Sequence, residues 1–292
     1  MIQRIIFILF FIFLLGCKKE EVNQDFTIAI LETTPLTINE FQEKIVLVTG
    51  ASRGIGRTIA TNFGKLGSKV MCLATTKENC SSVVDEITSL GGTAFGFGCR
   101  VDDSLAVKQT FEEISEDHGP VKILINNAGV SLPTPTLAMT EENWDQHMNI
   151  NCKSIFLCSQ AAGLMMKDHG GGCIVNIGSI LGRNAFPAAL GYCTTKAAID
   201  QMTKVLAIEW AKYKIRVNCV APGYVRTDLI DRLAEEGKIK LNDLEKRTPQ
   251  RRLGSEQEVT DAVIFSCSNR SSFMTGETLV IDGGWTAFGF YN

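Results

Sequence analysis

The chain reads Ile45-Val-Leu-Val-Thr49-Gly50-Ala51-Ser52-Arg53-Gly54-Ile55-Gly56 near its first glycine cluster, and this segment is the starting point for predicting its architecture. An aliphatic, β-branched run typical of a buried strand leads into a glycine-rich turn. The residues after it, including Ile59, Phe63 and Leu66, repeat at helical spacing and form one apolar stripe. Glycines at such a junction let backbone N–H groups and a helix N-terminus approach a pyrophosphate. The segment predicts a phosphate-binding strand-loop-helix unit, although a tight structural turn alone would look similar.

The alternation of short apolar runs and helical stretches continues to the end of the chain. The predicted strands are residues 45–49, 69–73, 94–99, 123–126, 173–177, 216–220 and 278–281. Strand-helix alternation implies parallel strands with right-handed crossovers, and strands that are apolar along their whole length need helices on both faces. The sequence therefore predicts an α/β fold with a single Rossmann-like, doubly wound parallel sheet of about seven strands. No linker divides residues 44–288, so we expect one domain over residues 44–292.

Composition narrows the classes of protein. Of the 292 residues, 45% are hydrophobic, and this fraction excludes a disordered chain. The 29 basic and 32 acidic side chains give a net charge of −3, which argues against nucleic acid as a partner. The ten cysteines include no C-x-x-C pair, and His118, His147 and His169 are scattered, so we expect no metal site and interpret the histidines as surface residues. Free thiols in this number suit a reducing compartment.

A tyrosine and a lysine stand four residues apart, at Tyr192 and Lys196, on one face of a predicted helix that runs to about Ala211. A free phenol has a pKa of about 10, and an adjacent ammonium lowers it. The pair alone could be incidental. However, Ser179 stands at the end of a predicted strand, thirteen residues before Tyr192, so the pair does not occur alone.

Several motifs occur in order: T-G-x-x-x-G-x-G from Thr49, N-N-A-G from Asn126, Ser179 with Tyr192-x-x-x-Lys196, and Pro222-Gly223. Together they resemble the short-chain dehydrogenase/reductase family over residues 44–286. The resemblance implies Ser179, Tyr192, Lys196 and Asn151 as the catalytic residues, with Asn149 as a rival to Asn151. It implies hydride transfer from a nicotinamide cofactor, with Tyr192 as the proton donor and no metal. The implied cofactor-binding residues are Gly50, Ser52, Arg53, Gly54, Ile55, Gly56, Thr75, Val101, Asn127, Ala128, Gly129, Tyr192, Lys196, Pro222, Gly223, Val225 and Thr227.

The choice of dinucleotide follows from charge. An acid after the second strand would accept the ribose hydroxyls of NAD and repel the extra phosphate of NADP. Here Ala74-Thr75-Thr76-Lys77 contains no acid, and Arg53 and Lys77 could hold that phosphate, so NADP(H) is favoured over NAD(H). Arg100 stands before Val101, where similar proteins often have an aspartate that reads the adenine, which departs from the family pattern.

Within the family the sequence is closest in appearance to 3-oxoacyl-[acyl-carrier-protein] reductases, and the alternative is a dehydrogenase of a sugar, polyol or other secondary alcohol. A non-catalytic, nucleotide-sensing or membrane-tethered scaffold is a third hypothesis. An acidic carrier protein would need a basic docking face, for which Lys212, Lys214 and Arg216 are candidates, unless they form a solvated helix end. Residues 231–247 are expected to form a lid, and the resemblance implies a homotetramer or homodimer.

The first seventeen residues differ from the rest. Arg4 precedes an apolar run from Ile5 to Leu15, followed by Gly16-Cys17 and charged residues, which is a signal-like pattern and resembles a bacterial lipoprotein signal with lipidated Cys17. The run of eleven residues is short for a transmembrane helix. Residues 18–43 read as a tether. Two alternatives stay open: membrane association through residues 1–17, or a cytoplasmic catalytic domain, which the expected cofactor favours.

Overall fold

The computed structural model of the protein describes residues 40–237 and 239–289. Its sheet contains seven strands, all parallel, in the order β3-β2-β1-β4-β5-β6-β7. The predicted doubly wound sheet of seven strands is confirmed. The strands are β1 (Ile45–Thr49), β2 (Lys69–Ala74), β3 (Thr93–Gly98), β4 (Ile123–Asn126), β5 (Gly172–Ile177), β6 (Ile215–Pro222) and β7 (Thr278–Ile281).

Helices connect successive strands, as parallel pairing requires. They are α1 (Gly54–Lys65), α2 (Ser81–Ser89), α3 (Ser104–His118), α4 (Glu141–His147), α5 (Ser154–Asp168), α6 (Leu190–Trp210), α7 (Asp228–Glu235), α8 (Leu241–Arg247) and α9 (Glu256–Cys267). A π-helical segment, Met148–Lys153, joins α4 to α5. The predicted lid region forms α8 and most of α7.

The central strand β1 shows why helices cover both faces of the sheet. All five of its residues are buried, and alternate side chains point to opposite faces. Val46 and Val48 pack with α1 and α9 in one cluster, whereas Leu47 packs with α3 and α5 in the other. Residues of the edge strand β3 alternate between exposed and covered, and the strand ends one residue earlier than predicted, at Gly98.

Strand β1 pairs with β2 on one side and with β4 on the other, so the order of the strands reverses between β1 and β4. In open parallel sheets a crevice forms outside the carboxyl ends of the strands at such a reversal, and ligands bind there. The loops that follow β1, β4, β5 and β6 all leave the sheet at this edge.

The folded domain begins before Lys44. Phe41 is fully buried, its ring lies 5.4 Å from that of Phe63 in an edge-to-face contact, and its carbonyl accepts a hydrogen bond from Ser68 Oγ. Glu43 forms a 2.7 Å ion pair with Lys69. Residues 40–43, placed in the tether by the sequence pattern, therefore pack on the domain. The signal-like segment 1–17 lies outside the described residues. Of the helices that the structure describes, none has the length and apolarity to cross a bilayer.

Candidate active site

The loop between β1 and α1 is shaped by glycine and held by the end of β4. Gly50 and Gly54 have positive φ, +64° and +57°. A Cβ on Gly56 would lie 2.3 Å from the Gly50 carbonyl oxygen and 2.4 Å from Asn127 Nδ2, so only glycine lets the helix begin this close to the strand. Thr49 Oγ1 accepts hydrogen bonds of 3.0 Å from the N–H groups of Asn127 and Ala128.

The start of α1 offers what a pyrophosphate requires. Arg53 precedes the helix with an extended backbone, its side chain does not cap the helix, and the first turn contains no acidic residue. The first N–H groups of such a helix and its positive dipole end remain available to an anion. Ser52 and Ile55, on either side of Gly54, are half-buried. The glycine-shaped loop and the open N-terminus of α1 fit the pyrophosphate of a dinucleotide.

Exposed side chains form the end of this crevice at which the sequence predicts the adenosine of the cofactor, here called the adenosine end. Thr75 and Lys77 follow β2 in an exposed turn whose first acid is Glu78, and Arg53 is also exposed. Arg100 forms a 2.9 Å ion pair with Asp102, so its guanidinium is engaged within its own turn. Val101, the predicted adenine contact, is half-buried beside this pair.

The reaction end lies where β5 leaves the sheet. Ser179 follows β5, and its Oγ accepts a hydrogen bond from Leu181 N. Tyr192 and Lys196 lie in the first two turns of α6, with Lys196 Nζ 5.5 Å from the centre of the Tyr192 ring. Lys196 Nζ also donates a 2.7 Å hydrogen bond to the carbonyl of Ile177, the last residue of β5. The structure thus brings the serine, tyrosine and lysine together at the carboxyl edge of the sheet.

Burial governs the acidity of both titratable groups. It raises the pKa of Tyr192, and a hydrogen bond with Ser179 offsets the increase in part. It lowers the pKa of Lys196 to about 8, since the ammonium is withdrawn from water. The sequence predicts that Lys196 lowers the Tyr192 pKa; the net direction in this structure is a rise, because burial of the phenol dominates while the ammonium hydrogen-bonds the Ile177 carbonyl.

Asn151 lies in the π-helical segment and is fully buried. Its Oδ1 accepts a 2.7 Å hydrogen bond from Val130 N, and its Nδ2 donates to Val130 O at 2.8 Å and to Thr195 Oγ1 at 3.3 Å. Thr195 Oγ1 in turn donates to the Tyr192 carbonyl at 2.9 Å. Asn151 therefore links the segment after β4 to the helix that carries Tyr192. Asn149 is half-buried and takes no part in these bonds.

The remaining predicted cofactor residues lie at the same edge. Gly129 lies against Asn151, since a Cβ on it would be 3.3 Å from Asn151 Oδ1. Pro222 ends β6, and Gly223 packs closely against Asp282. Val225 is buried, and Thr227 caps α7 by accepting a hydrogen bond from Ile230 N. The chain passes from β6 into α7 through Pro222, Gly223, Val225 and Thr227.

The structure bears on two sequence-based interpretations. Lys212, Lys214 and Arg216 precede or begin β6, at the amino edge of the sheet, opposite Ser179 and Tyr192. Arg216 also donates hydrogen bonds to the carbonyls of Ser266, Ser268 and Met274. This position, away from Ser179 and Tyr192, favours the alternative that these residues form a solvated helix end over the docking of a carrier.

The interpretation of the histidines as surface residues needs correction. His147 is 1% exposed, and both of its ring nitrogens form hydrogen bonds. His118 is half-buried, with its ring 4.0 Å from that of Phe95, and only His169 is exposed. The sequence-based prediction also did not include Thr195. The spacing along the helices could have indicated both residues, because His147 precedes Asn151 by one helical turn and Thr195 follows Tyr192 by three residues.

Comparisons with known proteins agree with this geometry. A family model described as Enoyl-(Acyl carrier protein) reductase matches residues 50–286. The 3-oxoacyl-[acyl-carrier-protein] reductase FabG of Thermotoga maritima is 34% identical over 241 residues, which are 82% of this chain and 97% of the relative. The crystal structure of a short-chain type dehydrogenase/reductase from Mycobacterium marinum has a TM-score of 0.81 and 35% identity, covering 85% of this chain and 97% of that one. A solved Agrobacterium tumefaciens protein described as a 2-deoxy-D-gluconate 3-dehydrogenase, with bound NADP, has a TM-score of 0.78 and 32% identity, covering 86% of this chain and 100% of that one.

The fold and the site define an oxidoreductase that acts on alcohol or carbonyl groups and uses NAD(P)(H). Because the family model covers most of the chain and the bacterial relative is aligned over nearly its whole length, the class can be named. The chain belongs to the short-chain dehydrogenase/reductase family.

Proposed function

We propose that the protein is an NADPH-dependent carbonyl reductase, with 3-oxoacyl thioesters as its first-choice substrates. The observation that carries this proposal is the meeting of Ser179, Tyr192 and Lys196 at the carboxyl end of β5. The identity with a 3-oxoacyl-[acyl-carrier-protein] reductase supports the substrate class.

The proton chemistry follows from the positions of the three side chains. The hydroxyls of Ser179 and Tyr192 hydrogen-bond the carbonyl oxygen of the substrate, which orients it and stabilises the charge that develops there. A dinucleotide held at the loop between β1 and α1 would supply the hydride that the carbonyl carbon accepts. The electron pair of the C=O π bond moves to the oxygen, and that oxygen takes the phenolic proton of Tyr192. Lys196 then stabilises the phenolate that remains and would bind the nicotinamide ribose.

The protonation state of Tyr192 fits the direction of reduction. Burial raises the pKa of Tyr192, so the phenol is protonated at neutral pH, which is the form that reduction requires. Alcohol oxidation needs the phenolate instead. Asn151 would support return of the proton by fixing the segment after β4, because both Nδ2 protons and one lone pair of its Oδ1 bind that segment and Thr195.

The cofactor preference rests on charge at the adenosine end. Arg53 and Lys77 supply positive charge there, and none of the three residues directly after β2 is an acid that would repel the additional phosphate of NADPH. The glycine-shaped loop is formed by Gly50, Ser52, Gly54, Ile55 and Gly56. Thr75, Val101, Asn127, Ala128, Gly129, Pro222, Gly223, Val225 and Thr227 complete the proposed set.

A dehydrogenase of a sugar, polyol or other secondary alcohol is the second candidate. One observation favours it: the basic residues expected to dock an acidic carrier lie at the opposite edge of the sheet. A structural relative described as a sugar-acid dehydrogenase adds support.

A substrate panel separates the two candidates. NADPH oxidation would be measured with an acetoacetyl thioester, and reduction of NAD and NADP with a set of sugars, polyols and simple secondary alcohols. The proposal expects the thioester to be reduced with NADPH. Inertness of the thioester together with alcohol-driven reduction of NAD or NADP would establish the second candidate instead.

We further propose a homotetramer or homodimer. Helices α5 and α6 lie side by side, with Trp210 packed on Gly163, and they expose Phe156, Leu164, Val205 and Ile208. Apolar side chains exposed together on neighbouring helices commonly mark subunit contacts. Light scattering of the purified protein tests this assembly.

We place the catalytic domain in the cytoplasm, where NADPH is available, as part of the same proposal. The nine cysteines in the described part of the chain are all free, which suits a reducing compartment. Anchoring or lipidation through residues 1–17 is the alternative, and the mass of the mature N-terminus distinguishes the two.

A further inference from the structure

His147 is a buried histidine that the proposed proton chemistry does not use. Its Nε2 accepts a 3.2 Å hydrogen bond from the backbone N–H of Leu132, and its Nδ1 lies 2.8 Å from the carbonyl of Asn143. Since Nε2 is the acceptor, the ring proton is on Nδ1 and is donated to that carbonyl. The side chain is 1% exposed and has both ring nitrogens satisfied inside the protein.

The residue that His147 holds belongs to the loop after β4, residues 130–134. Asn151, one helical turn beyond His147, binds both backbone groups of Val130 in the same loop. Side chains four residues apart thus hold the loop at two points, Val130 and Leu132. At its far end, Thr134 N donates a 2.8 Å hydrogen bond to the carbonyl of Ala188, just before α6.

The imidazole also contacts the helix that carries Tyr192. Gly191 immediately precedes that tyrosine, and a Cβ on Gly191 would lie 2.8 Å from His147 Nδ1 and 2.9 Å from its Cγ. His147 therefore occupies the space between the loop after β4 and the first turn of α6. A larger residue at position 191, or a smaller one at position 147, would change the separation of these two elements.

We propose that His147 is a positioning residue that holds the loop 130–134 against the first turn of α6 and thereby shapes the wall that receives the carbonyl substrate. The inference rests on the proposed function, since it assumes that the substrate binds beside Tyr192. Asn127 and Ala128, on the cofactor side, are held independently by Thr49. Loss of the imidazole should therefore affect the carbonyl substrate and leave the dinucleotide unaffected.

Three variants test the proposal by kinetics. His147→Phe keeps a ring but removes the acceptor for the Leu132 N–H, and His147→Gln restores an acceptor. His169→Phe is the matched control, because His169 Nδ1 makes the same contact of 2.8 Å with the carbonyl four residues earlier. We expect His147→Phe to raise the KM of the carbonyl substrate roughly tenfold, the equivalent of one lost hydrogen bond. The kcat of this variant and its KM for NADPH should stay within about twofold of the wild-type values. This is the result expected when the lost interaction stabilises the bound substrate and the transition state equally. His147→Gln should recover much of the loss, and the control should match the wild type. Parallel losses in kcat, both KM values and melting temperature, with no recovery in His147→Gln, would show a general structural role and overturn the proposal.

A second measurement does not depend on turnover. Hydrogen exchange at the Leu132 amide should be slow in the wild type, at least about tenfold faster in His147→Phe, and intermediate in His147→Gln, because the amide loses its acceptor. Equal exchange in all three proteins would overturn the proposal. Faster exchange in His147→Phe, in a protein whose wild type converts no carbonyl or alcohol, would support the positioning role and refute the proposed function alone.

Discussion

At the reaction end of the crevice Asn151, Ser179 and Lys196 are each at least nine-tenths buried, whereas at the adenosine end Arg53, Thr75 and Lys77 are exposed. The buried end is joined by hydrogen bonds that reach from β5 to α6 and from the loop after β4 to the π-helical segment. The adenosine end depends on long charged side chains surrounded by water. Replacements at the reaction end should therefore alter both chemistry and stability, and those at the adenosine end should alter only cofactor choice.

The largest expected effect is that of Tyr192→Phe. Removing the phenolic hydroxyl removes the proposed proton donor, and general acid catalysis contributes about 10²–10⁴ to rate. We expect turnover to fall about a thousandfold, with the dissociation constant of NADPH changed less than about threefold. Steady-state assays and fluorescence titration with NADPH measure the two quantities. Turnover close to that of the wild type would show that another group donates the proton.

Lys196→Met tests the buried ammonium through pH. Burial lowers the pKa of Lys196 from 10.5 to about 8, so between these values the unfolded chain binds more protons than the folded protein. The contribution of Lys196 to stability is fully present above pH 10.5 and is lost as pH falls through about 8. The wild-type free energy of unfolding minus that of the variant should therefore rise by roughly 3 kcal/mol over this range. Urea titrations at both ends of the range measure it, and a constant difference would contradict burial of the charge.

Asn151→Ala separates the structural role of Asn151 from that of its neighbour. The variant leaves the backbone groups of Val130 without their side-chain partner, and the free energy of unfolding should fall by about 2 kcal/mol. Asn149→Ala is the matched control and should change stability by less than about 0.5 kcal/mol. Denaturant unfolding compares the two. Equal losses would mean that the assignment of Asn151 by sequence spacing is unsupported.

The smallest effect is expected at the adenosine end. The double variant Arg53→Ala, Lys77→Ala removes two exposed charges, and we expect NADPH to bind roughly tenfold more weakly while NADH binding and stability are unchanged. Arg57→Ala is the control, since Arg57 is paired with Glu86 on α2. Binding titrations with both dinucleotides provide the measurement. An equal loss for NADPH and NADH would remove the basis for the proposed preference.

The parts that could be predicted from the sequence depend on local pattern. Each strand is a short apolar run, the loop after β1 has its glycines in place, and the spacing of Ser179, Tyr192 and Lys196 fixes their order along one strand and one helix. These features can be predicted without knowledge of the contacts between distant residues.

The parts that could not be predicted depend on what distant residues contribute. The burial of His147 requires contact with Gly191, 44 positions later, and the raised pKa of Tyr192 reflects its surroundings rather than its spacing from Lys196. Phe41 packs on Phe63 although its segment has no periodicity. The basic cluster is a different case: the predicted parallel sheet already placed residues 212–216 at the edge away from the site.

In the proposed reaction, hydride passes from NADPH to a carbonyl carbon as Tyr192 protonates the oxygen. Wild-type protein would be incubated with NADPH carrying deuterium at the transferable position of the nicotinamide and with an acetoacetyl thioester, and the product would be analysed by mass spectrometry. We predict a 3-hydroxyacyl product with one deuterium on the former carbonyl carbon, and about a thousandfold less of it with Tyr192→Phe in the same incubation time. A product without deuterium at that carbon, or labelled product formed equally fast by the variant, would rule out the proposed hydride and proton transfer.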